Sequence, residues 1–298
     1  MESYKNKNNN LVSKEYEIIK KVGSGSFGEV FLTKILASGK LVASKIEEKD
    51  SDKKNSKIFD EYKIYRKLEL KGLKKGIPKI HSFYETPKFN VLVMELLGEN
   101  LDTIFNSFNK KFELCTVLKI GYEILNLIEK IHNCGFIHRD IKPNNFMFGV
   151  GDKKYELYIL DFGLSKRFFK NNKHIEYKTN KSLVGTARYT SINIHLGIEP
   201  SRRDDLESIG YMLIYFLKGI LPWQGLKKQK NTDHLELIGE TKLSTSLKNL
   251  CEGIPEHFYK YIDYTRKLSF DERPDYKFLK NLLSDCAKDN NIELKYQF

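Results

Sequence analysis

Over the first third of the chain, short runs of alternating apolar and polar residues are separated by turn-forming residues. Five of these runs predict strands: Tyr16–Val22, Glu29–Leu36, Lys40–Ile46, Lys79–Tyr84 and Asn90–Leu96. One charged stretch among them, about Lys57–Leu70, predicts a helix. The pattern changes near residue 97. Beyond it Leu114, Val117, Leu118, Gly121, Ile124, Leu125, Ile128 and Ile131 recur at steps of three or four and share one helix face. Further helices are predicted at Arg203–Leu217, Pro255–Leu268 and Tyr276–Cys286. The chain reads as a small β-rich part followed by a larger helical part, and a cleft between such parts is a natural ligand site.

Composition narrows the classes. A chain of 298 residues, 40% apolar, 30% charged and 12% aromatic, has a soluble globular composition and not that of a disordered chain. No apolar run approaches the roughly 20 residues of a membrane helix; the longest, Ile209–Leu217, stops at Lys218 and Gly219. The opening MESYKNKNNN has no apolar core, so it is not a secretory signal. Residues 1–13 are expected to be a disordered polar leader, and the compartment cytosol or nucleus. Cys115, Cys134, Cys251 and Cys286 lie far apart and read as buried reduced thiols. A balance of 51 basic against 39 acidic residues, +12, favours anionic partners.

Gly23-Ser24-Gly25-Ser26-Phe27-Gly28, followed by Val30, lies between two predicted strands. Glycines let a backbone pass close over a phosphate because no side chain intervenes. The same spacing also binds dinucleotides where a helix follows, but Glu29-Val30-Phe31-Leu32-Thr33 reads as a strand. An ordinary turn fits this segment equally well. In Val42-Ala43-Ser44-Lys45 a lysine closes an apolar run, where a cation is costly unless paired. Glu61, on the predicted helix, is a candidate partner; a surface lysine is the alternative.

His138-Arg139-Asp140-Ile141-Lys142-Pro143-Asn144-Asn145 matches H-R-D-x-x-x-x-N at every fixed position, and Asp161-Phe162-Gly163 follows the apolar run Leu157–Leu160. Each part has a role in phosphoryl transfer. Asp140 would accept the hydrogen bond of the substrate hydroxyl and orient its attack. Asn145 and Asp161 are hard oxygen donors suited to Mg²⁺. Lys142 would neutralise charge on the transferred group, and Lys45, held by Glu61, would hold nucleotide phosphates. The order glycine loop, Lys45, Glu61, Asp140, Asn145, Asp161 resembles that of protein kinases, and a lysine two residues after Asp140 resembles their serine/threonine branch.

Later segments are more specific. Where most protein kinases carry Ala-Pro-Glu, this chain reads Ser191-Ile192-Asn193, within GTARYTSINIHLG at 185–197; SRRDDLESIG follows at 201–210 and LPWQGLK at 221–227. With Lys63-Ile64-Tyr65, Met94-Glu95-Leu96-Leu97-Gly98 and Arg273-Pro274-Asp275-Tyr276, these segments resemble the casein kinase 1 family over roughly residues 14–298. The resemblance implies an α+β, bilobal protein kinase fold. One kinase domain would have a small β-rich N-lobe with the hinge over 14–97 and a larger α-helical C-lobe over 98–298.

The resemblance also implies ATP and Mg²⁺ as cofactors. ATP would bind against Val22, Gly23, Ser24, Gly25, Ser26, Phe27, Gly28, Val30, Ala43 and Lys45. Met94 would be the gatekeeper, and the backbone of Glu95 and Leu97 would bond the adenine edge. Thr186 would bridge Asp140 and Lys142, joining them, Lys45 and Glu61 as catalytic residues, and Asp205 would anchor the backbone of the catalytic loop. Family substrates carry a phosphate or acidic residues three positions before the target, which fits the net charge. Arg188 and Gly225 would line that phosphate site, and an ungapped match from Leu226 to Ile238 puts His234 where the family has a phosphate-binding lysine; the alternative is that Lys227, Lys228 or Lys230 reaches into the site and His234 is an exposed bystander. A second anion site would use Arg139, Lys166 and Lys181. The protein is expected to act as a monomer.

There are departures. Ser44 stands where a β-branched aliphatic residue is usual, which would widen the pocket wall. Loss of the Ala-Pro-Glu glutamate leaves Arg273 without its common partner. The alternative function is a pseudokinase scaffold that binds nucleotide or partners without turnover, which needs a disabled catalytic element. A basic nucleic-acid-binding module is the third reading, and no helix-turn-helix, finger or RNA-binding signature accompanies the charge.

Overall fold

The computed structural model describes residues 11–25, 27–49, 56–227 and 233–298. Strands β1 (Leu11–Ser13), β2 (Tyr16–Gly25), β3 (Gly28–Ile35), β4 (Leu41–Glu48), β5 (Ile80–Glu85) and β6 (Phe89–Glu95) form one antiparallel sheet in the order β1-β2-β3-β4-β6-β5. The five predicted strands are all present, with bounds moved by a few residues. The sixth, β1, comes from the stretch expected to be leader and pairs with β2; residues 1–10 of that leader lie outside the described residues.

Residues opposite each other on paired strands share a face. Phe31 faces Ser44, Ser44 faces Val93 and Ile46 faces Val91. That side carries the core of Tyr16, Phe31, Val42, Ile46, Val91 and Val93, covered by Ile18, Ile35, Tyr84 and Phe89. Val30 faces Lys45 and Ala43 faces Met94, which turns these four to the other side. Alternation therefore corrects the reading of Ser44. It points into the core, fully buried with its hydroxyl unpartnered, and not to the wall beside Lys45.

Helix α1 (Lys57–Leu70) has the predicted bounds. Its N-cap, Ser56, accepts from Phe59 N at 3.0 Å and donates to Glu47 on β4. Buried Ile58, Glu61, Tyr65 and Leu68 fall at steps of three or four and face β4, β5 and β6. Packing divides the chain into two units: residues through Glu99 with Met147–Gly163, and Asn100–Phe146 with Leu164–Phe298. Where the sequence suggests one cut after residue 97, the chain crosses three times. Backbone bonds draw the returning segment to the first unit: Gly98 N to Phe148 O at 2.7 Å, Phe148 N to Glu99 O at 3.0 Å and Ile159 N to Gly76 O at 2.9 Å.

The second unit holds α2 (Leu101–Ser107), α3 (Leu114–Asn133), α4 (Ile192–His195), α5 (Arg202–Lys218), α6 (His234–Ser244), α7 (Leu247–Leu250), α8 (Glu256–Lys267) and α9 (Tyr276–Asp289). The predicted stripe of α3 is buried from Val117 to Ile131 and packs on α5 and α9. α5 is buried without interruption from Asp204 to Phe216. The sequence pattern predicts α3, α5, α8 and α9 but not α2, α4, α6 or α7. The four cysteines are free and buried. Among the described residues no helix is long and apolar enough to cross a membrane.

Asp204, at the start of α5, accepts from Ser191 Oγ at 2.6 Å and from Ser201 N at 2.7 Å. Burial outweighs these donors and pushes its pKa from 3.8 up to about 6. The folded chain then binds this proton more tightly than the unfolded chain between pH ~4 and ~6, so stability falls as pH rises through that window, by roughly 3 kcal/mol in all. Asp204→Asn removes the titration. The difference in Tm, variant minus wild type, is expected to rise between pH 4 and 7 in parallel thermal melts; a flat difference would show that Asp204 titrates as an ordinary carboxylate.

Candidate active site

In the first unit, the β2–β3 hairpin pairs Gly23 with Val30, Ser24 with Glu29 and Gly25 with Gly28. Ser26 lies outside the described residues. A Cβ on Gly28 would overlap the Ile46 carbonyl, and one on Gly25 would lie 2.9 Å from Lys45 Cε. The glycines thus let the hairpin lie directly on β4 beside Lys45. Lys45 is 4% exposed. Its Nζ donates to Glu61 Oε2 at 2.7 Å and to Asp161 Oδ1 at 3.0 Å. Burial would lower its pKa, but Glu61 and Asp161 outweigh burial and hold it above the ordinary lysine range. Burial pushes Glu61 up, against the pull of Lys45. The surface-lysine alternative is excluded.

Other residues proposed for nucleotide contact take distinct positions. Ala43 and Met94 are buried next to each other, while Val22 is half exposed. The Phe27 ring lies against the Cα side of Gly163. Leu97 is buried. Glu95 turns its carboxylate to Lys153 Nζ at 2.7 Å and Lys79 N at 3.1 Å, leaving only its backbone for the expected role. Asp161 holds a left-handed φ of 61° and Phe162 packs edge-on against Tyr65, with centroids 4.9 Å apart.

In the second unit, Asp140 is 3% exposed. Oδ1 accepts from Thr186 Oγ1 at 2.8 Å; Oδ2 accepts from Lys142 Nζ at 2.6 Å and Asn145 Nδ2 at 3.3 Å. Asn145 Nδ2 also donates to Asp140 O at 2.8 Å, which leaves its carbonyl oxygen as the end available to a cation. The Asn145 amide oxygen and, in the first unit, the Asp161 carboxylate are each hard donors of the kind Mg²⁺ takes. Asp205 fixes the loop from α5, accepting from His138 N at 2.7 Å and Arg139 N at 2.8 Å. It also accepts from His132 Nε2 at 2.9 Å, so His132 Nδ1 accepts from Tyr276 hydroxyl at 2.6 Å. Burial would raise Asp205, but these donors hold it below the usual carboxylate range. Arg139 has φ 69°, an uncommon backbone state for a side chain of this kind.

The residues expected to bind substrate phosphate are only partly brought together. Arg188 lies 5.8 Å over the Tyr189 ring and 5.5 Å over that of Tyr215. Gly225 has a left-handed φ of 69° and open space at its Cα. His234 is exposed in the first turn of α6; residues 228–232, including Lys228 and Lys230, lie outside the described residues. Lys166 pairs with buried Glu199 at 2.8 Å and Lys181 lies 3.9 Å from it. Arg139, whose Nε donates to Leu164 O at 2.6 Å, feels the same carboxylate.

Several residues escaped the sequence reading. Glu199 is one, Lys242 another. Arg273 is exposed, and it is Arg266 on α8 that pairs with a buried carboxylate, Glu207, at 3.6 Å. No cluster of three His, Cys, Asp or Glu side chains able to hold a metal occurs among the described residues.

Lys45→Met would leave Glu61 buried without its cation, a change that typically costs ~3–5 kcal/mol. A clear drop in Tm at neutral pH is expected; an unaltered melt would show that the ion pair carries no net stability. Independently of this geometry, the sequence matches the family model for the protein kinase domain over residues 16–290.

Proposed function

The chain belongs to the protein kinase family, and we propose that within it the protein is a serine/threonine kinase like casein kinase 1, acting on acidic or already phosphorylated proteins. Membership implies phosphotransferase chemistry with ATP and a divalent metal ion. The observation that carries the serine/threonine reading is the set of three donors, Lys142 and Thr186 among them, on the nearly buried Asp140 carboxylate; the likeness to casein kinase 1 rests on the sequence segments alone. Asp140 would accept the hydrogen bond of an incoming hydroxyl and orient it, while Thr186 and Lys142 keep the carboxylate fixed. Lys142 would also face charge on the transferred group.

Lys45 would hold the nucleotide phosphates under the glycine hairpin, with Met94 beside the adenine. Asp161 and Asn145 would hold Mg²⁺, which when bound neutralises phosphate charge. Arg188, a permanent cation with a planar fork, is the proposed ligand for a phosphate three residues before the target. His234 is the proposed helper at that site, Gly225 leaves room beside it, and Arg139, Lys166 and Lys181 form a second candidate anion site. Nothing supports a scaffold without turnover, since Lys45, Glu61, Asp140, Asn145 and Asp161 are all present.

Asp140→Asn is expected to lower kcat on a serine peptide by at least about a hundredfold while nucleotide titration still reports binding. Wild-type turnover by that variant would sink the assignment. For specificity, matched serine, threonine and tyrosine peptides are compared with and without phosphoserine at the minus-three position. Primed serine and threonine peptides should be favoured. Arg188→Ala should bring the primed to unprimed ratio of kcat/KM close to one, and His234→Lys should raise it. Equal ratios in wild type and Arg188→Ala would remove Arg188 from the site.

A further inference from the structure

Residues 186–190 carry two groups of the proposed site, Thr186 on Asp140 and Arg188 for substrate phosphate. Their backbone is held by a side chain that the functional reading has not used. Lys242, on α6, is fully buried. Its Nζ donates to Ala187 O at 2.7 Å and to Thr190 O. It lies 5.1 Å over the Trp223 ring and 5.2 Å over that of Tyr211. Trp223 Nε1 in turn donates to Arg188 O at 2.7 Å, and His195 Nε2 lies 3.3 Å from Ala187 O.

The titratable groups that act on Lys242 or on which it acts are Glu207, Arg266 and His195. Among the described residues it makes no ion pair; Glu207 pairs with Arg266. A buried ammonium without a carboxylate in contact is costly. Carbonyl dipoles and ring faces take the place of the missing anion. Burial pulls its pKa down to about 7, and with or without the extra proton the amine keeps N–H bonds for both carbonyls. A methionine would fill the same space at lower desolvation cost. It would not fix the carbonyls of residues 187 and 190 to one point.

We propose that Lys242 is a positioning residue for substrate. By clamping the carbonyls on either side of Arg188 it sets both the Thr186 contact with Asp140 and the presentation of the Arg188 guanidinium. Hydroxyl orientation and preference for a primed substrate then depend on one lysine from a distant helix. This inference rests on the kinase reading above.

The test uses Lys242→Met, and Lys242→Gln as a variant that keeps N–H donors. Amide hydrogen exchange is followed at Tyr189 and Thr190, which donate to Thr186 O at 2.8 and 3.1 Å. In a cooperatively melting Lys242→Met, these two amides should exchange at least about tenfold faster with the rest unchanged. KM for ATP should stay within about twofold, kcat on an unprimed serine peptide should fall about tenfold to a hundredfold, and the primed preference should shrink toward one. Lys242→Gln should lie between. Wild-type exchange and wild-type primed preference in folded Lys242→Met would overturn the proposal. So would a uniform loss, in which KM for ATP and amides throughout the chain change together. Should Lys242→Met not fold, Lys242→Gln decides, wild-type values in it being the refutation. If the wild type phosphorylates no serine or threonine peptide, the functional reading fails. Exchange at Tyr189 and Thr190 then still shows whether the clamp exists, and unchanged exchange refutes it.

Discussion

Three carboxylates stand near the start of α5, where water does not reach: Asp204, Asp205 and Glu207 are each 2% exposed or less. A charge so placed is tolerable only when donors surround it, and each finds its donors in stretches of chain outside the first turn of α5 as well as near it. Asp204 takes Ser191 and Ser201. Asp205 takes the backbone of His138 and Arg139, and His132. Glu207 takes Ile192 N at 3.2 Å and the Tyr211 hydroxyl, with the Arg266 guanidinium 3.6 Å away as its counter-charge. The loop bearing Asp140 and the backbone that follows Thr190 are therefore located from inside the helical unit. The sparsely populated φ of Arg139 is held by two bonds to Asp205 on consecutive N–H groups.

The first unit solves the same problem with the charges reversed. There the buried group is the ammonium of Lys45, and two carboxylates reach it, one from α1 and one from the returning segment at Asp161. Lys45 thereby fixes a helix and a loop to β4, one of the two central strands of the sheet. In both units the polar groups that would carry out chemistry are also the groups that hold backbone in place, so most substitutions there will change structure and activity together.

Much of this was legible in the sequence, for a local reason. The strands alternate, α3 repeats its apolar stripe, and Lys45, Asp140, Asn145 and Asp161 stand in short motifs whose spacing is kept along the chain. Partners distant in sequence were harder to read. Lys45 with Glu61 was anticipated, but its bond to Asp161, 116 residues away, was not. Lys242 belongs to a helix that buries only Ile238, Gly239 and Lys242, too weak a stripe to announce itself. An ungapped alignment could assign His234 a position but not the direction of its side chain. The common partner rule drew attention to Arg273, whereas the carboxylate that needs an arginine lies beside Arg266. Ser44 was misjudged because a motif read as a string hides which residues point to which face.

Glu199 is 4% exposed and keeps Lys166 and Lys181 within ion-pair distance. The chain thus supplies its own anion to a group of cations on the segment that precedes Thr186. One carboxylate against two lysines and the nearby Arg139 leaves positive charge over, so an added phosphate would meet cations that are partly neutralised and would share them with an internal ligand tethered beside them.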